Sequence, residues 1–80
     1  MDKESAVARI ASVLQPYVGR TMAEASLKAH WDKLGIGDRL NATQLDALVG
    51  RLASGLAVFV GREKAQNVVA EIRTAMGDLS

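Results

Sequence analysis

The sequence predicts an all-α fold, a compact antiparallel bundle of four helices covering residues 3–15, 22–34, 42–60 and 62–76. Three observations carry that expectation. Apolar residues recur at three-and-four spacing through most of the chain, and no run alternates apolar with polar as a half-buried strand must. Glycine, proline and capping residues then divide the pattern at short intervals. Short connections make successive helices antiparallel neighbours.

The first helix is marked by Val7, Ile10, Leu14 and Tyr17, with Ala6, Ala8 and Ala11 adding propensity. Pro16 disfavours helical geometry at Gln15 and clashes with the preceding turn, so this helix is expected to end or kink near Leu14, with Gly19 as the break. Thr21 and Glu24 have the spacing of a capping box, which opens the second helix there. Its inward face is Ala23, Leu27, His30 or Trp31, and Leu34, and Gly35 and Gly37 then bracket Ile36 in a turn that plugs the core beside Leu40.

Asn41 and Gln44 repeat the capping pattern, and Leu45, Leu48, Val49, Leu52, Leu56, Phe59 and Val60 form one broad apolar face on the third helix. Gly61 closes it. Arg62, Glu63 and Lys64 open the fourth helix, whose face is Ala65, Val68, Val69, Ile72 and Met76, and Gly77 ends it. No internal repeat, linker or low-complexity stretch is read from this pass, so residues 1–80 are taken as one domain.

A chain of 80 residues without cysteine has neither disulfides nor thiolate metal ligands to add to a small core. Tight helix packing or a partner chain must supply what the core lacks. Ten Lys and Arg against nine Asp and Glu give a net charge of +1, and the cations are interleaved with acids, which disfavours a dedicated nucleic-acid footprint. The polar start from Met1 to Glu4 is unlike a secretory signal, and the longest charge-free stretch, Leu52 to Gly61, is far short of a spanning helix. A cytoplasmic location is expected, and the alanine content suits a bacterial source.

The third helix is the most informative element. Its rear reads Ala47, Gly50, Ser54, Ala57 and Val58, flanked by Asp46 and Arg51, so it is apolar or small nearly all round. Such a helix is either surrounded by its own domain or covered by another chain. Gly50 and Ser54 leave a shallow groove for a second helix, with Val58 as a knob beside it. The second option is favoured because so small a domain has difficulty covering a helix on every side.

Candidate chemistry elsewhere is sparse. His30 is the only histidine, with no nucleophile or second ligand at a recognisable spacing, and a core-edge role is expected of it. Trp31 and Tyr17 suit interfaces but are expected to pack in the core. Gly35 and Gly37 follow a helix rather than a strand and precede no phosphate-binding Lys, while Asp32, Asp38 and Asp46 lack calcium-loop spacing. Neither Ser54, preceded by Ala53, nor Ser80 matches the attachment serine of a carrier protein. A helix-turn-helix reader needs a recognition helix with polar side chains for base edges, which the third helix does not offer.

The expectation is therefore a small non-enzymatic interaction or regulatory module that self-associates through Ala47, Gly50, Arg51, Ser54 and Val58, with Asp46, Arg51 and Arg62 as rim charges. Its partner is a protein or a second copy, with no membrane, cofactor, metal or catalytic residue. A small nucleic-acid-binding regulator is the alternative, and a ligand-binding or enzymatic domain ranks third.

Overall fold

The computed structural model describes residues 1–79 and is an all-α bundle: α1 Lys3–Val18, α2 Arg20–Lys33, α3 Ala42–Val60 and α4 Arg62–Ala75, followed by a 3-10 turn, Gly77–Leu79. The four helices form a ring in which α1 packs on α2 and α4, and α3 packs closely on α4 and more thinly on α2. The interior is apolar, with Ile10, Leu14, Leu27, Trp31, Leu48, Leu52, Val68, Ile72 and Met76 among its buried side chains and no buried polar residue among those described. The Cα radius of gyration, 11.3 Å, is that of an ordinary folded domain of this length, about 12 Å.

Each hairpin turns on a single glycine. Gly19 (φ 83°, ψ 161°) ends α1 and begins α2, and Gly61 (φ 91°, ψ 159°) does the same between α3 and α4. That region of backbone space is essentially restricted to glycine. In both hinges the glycine N–H donates four residues back, to Gln15 or Ala57 carbonyl, and its own carbonyl accepts from Ala23 or Ala65 N–H.

These hinges change two sequence expectations. α1 does not stop near residue 15 but runs through Pro16 to Val18. Pro16 and Ser12, whose carbonyl loses its usual donor, both lie on the solvent-exposed side of the helix, where a missing bond costs least. The capping box from Thr21 to Glu24 does not form, because the one-residue hinge places Thr21 inside α2, which has no side-chain cap. Glu24 instead accepts from Arg20 Nε at 3.3 Å.

The box at α3 does form: Asn41 Oδ1 accepts from Gln44 N–H at 2.7 Å and Gln44 Oε1 from Asn41 N–H at 3.0 Å. α4 ends at Ala75 with Met76 as its cap, so Gly77 opens the last turn rather than ending the helix. Between α2 and α3, Ile36 and Leu40 are buried as expected. The same connection pairs with the N-terminal residues, Lys3 N–H donating to Asp38 carbonyl at 2.8 Å and Leu40 N–H to Met1 carbonyl at 2.7 Å.

The hinges also mark an internal repeat, contrary to the expectation of none. Arg9–Arg20 reads RIASVLQPYVGR and Arg51–Arg62 reads RLASGLAVFVGR. Buried Ile10 and Leu14 correspond to buried Leu52 and Leu56, and Ala23 to Ala65 one turn beyond the hinge. The bundle is thus two similar helical hairpins, with α3 three residues longer at its start than α1.

Candidate interaction surface

α3 turns Leu45, Leu48, Val49, Leu52 and Leu56 into the core. Its rear is uncovered: Ala47, Gly50, Arg51, Ser54 and Val58 are all exposed, Val58 by 91%. α1, α2 and α4 therefore do not enclose α3, and the first of the two sequence options fails. With 19 residues and a mean hydropathy of 1.2 in its best window, α3 passes the length and composition test for a membrane span that the charge-free stretch alone did not meet. Its most apolar face is nevertheless committed to the bundle core.

Local geometry accentuates the smoothness of the rear. Ser54 Oγ donates to Gly50 carbonyl at 3.1 Å, so the hydroxyl is satisfied within its own helix. A Cβ placed on Gly50 or Gly55 would meet nothing within 4 Å. Nothing in this chain therefore requires the two glycines, each of which costs a helix interior about 1 kcal/mol relative to Ala. Asp46 on the α4 flank is paired to Arg73 at 2.9 Å, whereas Arg51 and Arg62 have no acidic partner among the described residues.

The sequence reading misplaced Phe59. It is 62% exposed rather than core, and with Met22, 46% exposed, it forms the lips of an apolar cavity of about 130 Å³ between α2 and α3. Phe59 lies at the edge of the apolar arc of α3, beside Gly55, which has no side chain to cover it. The signal was present in the repeat, where Phe59 takes the place of Tyr17, itself a residue on the outer seam.

His30 is half-buried at the junction of this cavity with the rear of α3, where Ala47, Gly50, Arg51, Ser54 and Gly55 line a shallower hollow. Burial, then the charges of Arg51 and Lys33, holds its pKa below the ordinary 6.5, which favours the neutral imidazole. Trp31 is buried, its Nε1–H donating to Gly37 carbonyl at 2.9 Å, so it fastens the interhelical connection rather than facing a partner. Tyr17 donates its hydroxyl to Glu71, and that bond raises its pKa above 10.0.

Among the described residues no three His, Cys, Asp or Glu side chains are grouped to hold a metal. Ser54 is mid-helix, and Ser80 lies outside the described residues. No family model matches this chain, and no curated protein or solved structure is significantly similar to it.

Proposed function

We propose that this domain is a small non-enzymatic interaction module that self-associates through the rear of α3. One observation supports the reading above the others: Gly50 borders open space in the single chain while Val58, two turns along the same face, is 91% exposed. A groove and a knob on one strip of surface are what a twofold contact requires, since each copy must supply both halves.

The face is short. From Ala47 to Val58 it runs roughly 16 Å at the α-helical rise, so the contact falls at the small end of specific interfaces and association is expected at micromolar concentrations or weaker. Arg51 and Arg62, which lack acidic partners among the described residues, border it and would set orientation and salt dependence rather than affinity.

Sedimentation velocity across a concentration series tests the reading. A species of twice the 8.5 kDa chain mass is expected at high micromolar protein, and Gly50→Leu, which fills the groove, is expected to return it to monomer. A wild-type protein that stays monomeric throughout, or a Gly50→Leu protein of unchanged mass, refutes it.

A further inference from the structure

The internal repeat gives each interhelical seam a counterpart against which it can be compared. At the seam of α1 with α4, Val13 lines a shallow hollow with Ala70 and Thr74, and Tyr17 is tied to Glu71. At the seam of α2 with α3 the residues in the same repeat positions are Gly55 and Phe59. Gly55 contributes no side chain where its counterpart carries Val13, and the Phe59 ring lacks the hydroxyl that ties Tyr17 to Glu71, so the α2–α3 seam opens between α3 and α2 onto the apolar floor of the bundle. The opening is floored by Leu14, Leu52 and Leu56 and lipped by Met22 and Phe59. Its polar groups are Ser26, partway along, and His30 at one end. Beyond His30 stands Arg51, which has no acidic partner among the described residues.

We propose that the α2–α3 seam binds a free medium-chain carboxylate, its chain lying between Met22 and Phe59 and its carboxylate held by His30 and Arg51. Size, length and charge each point to that class. A volume of about 130 Å³ is close to that of an engineered apolar cavity of about 150 Å³ that accepts benzene, so the seam takes an apolar group of modest size, with the rest of a chain lying along the exposed Met22 and Phe59. Along α2 the run from Met22 to His30 is roughly 12 Å at the helical rise, the reach of a medium-length acyl chain. At the polar end an unpaired guanidinium offers two parallel donors to a carboxylate, and a neutral imidazole retains an N–H to donate. Lys33 lies close enough to His30 to add to the positive field. The inference does not rest on self-association: Arg51 also borders the proposed interface, but every group the seam uses is supplied by one chain.

The test uses the full chain and three probes below their micelle-forming concentrations: decanoate, decanol and decyltrimethylammonium. Calorimetry is expected to show one decanoate per chain, with amide shifts concentrated at Ser26, His30, Gly55 and Phe59. Decanol is expected to bind about tenfold more weakly, and decyltrimethylammonium more weakly still. Gly55→Val, which places at this seam the side chain its counterpart carries, is expected to abolish binding while leaving helix content and mass unchanged. Arg51→Gln is expected to weaken decanoate and leave decanol unaffected. The proposal is overturned if decanoate does not saturate, if Gly55→Val binds as wild type does, or if the ammonium probe binds equally well. It is also overturned if the protein floats with phospholipid vesicles but ignores monomeric decanoate.

Discussion

Replacing Gly50 and Gly55 by alanine separates what α3 needs inside the chain from what it presents outside. Both glycines lie in the helix interior, neither has a positive φ, and a methyl group at either position meets no atom within 4 Å. No steric term opposes the change, so the full propensity difference of about 1 kcal/mol per site is expected as added stability. The sites are about 7.5 Å apart along the axis and share no side-chain contact, so the gains should nearly add, to about 2 kcal/mol. In a domain of this size that raises Tm by roughly 8–16 °C. Calorimetric or circular-dichroism melts at low micromolar concentration, where association is negligible, read the monomer term, and sedimentation at high concentration reads the other. Greater monomer stability with weaker self-association is the expected signature. A Gly50→Ala chain that melts lower than wild type when dilute would show that the glycine serves the monomer's own packing, and the argument from open space would be wrong.

Other perturbations have equally definite signs. Asn41→Ala removes the bond from Gln44 N–H to the Asn41 side chain and leaves the one from the residue-41 backbone N–H to Gln44 Oε1, and should cost about 1 kcal/mol in urea unfolding; no loss would mean water replaces the cap freely. Pro16→Ala restores a donor to the Ser12 carbonyl within a helix that already continues past it, and a gain of about 1 kcal/mol or more is expected. A loss would place a packing role on the exposed ring. His30 has a folded-state pKa below its ordinary 6.5, so the unfolded chain binds the proton more readily. Its contribution is whole above that value and declines as pH falls through it toward the folded pKa. Unfolding followed from pH 8 to pH 5 should therefore show a loss of stability that His30→Gln flattens, and identical profiles for the two proteins would refute the assignment.

The sequence was most legible where local chemistry and periodicity agree. α3 came out with both ends correct because a reciprocal Asn and Gln cap starts it and a glycine stops it, and the buried positions of α4 followed from spacing alone. Pro16 and the pair Thr21 and Glu24 misled for one shared reason. Each is a sound local signal, but a hinge of one glycine leaves no loop for either to act in, so the helix absorbed both. Phe59 was assigned inward because hydrophobicity reports what a residue prefers and not whether a neighbour reaches it. The missing neighbour is the side chain that Gly55 does not have. The exposed rear of α3 could be identified as unusual from composition, but the open seam beside it required coordinates, since it is formed by residues from three helices.

Gly19 (φ 83°, ψ 161°) and Gly61 (φ 91°, ψ 159°) share one backbone conformation, and this makes the two corners of the molecule interchangeable parts. A chimera carrying Tyr17–Arg20 at both corners, or Phe59–Arg62 at both, keeps the same backbone route and alters only what decorates it. The two segments differ only at Tyr17 and Phe59, so such grafts are expected to fold with native helicity, and the character of one seam passes to the other only when Val13 and Gly55 are exchanged as well.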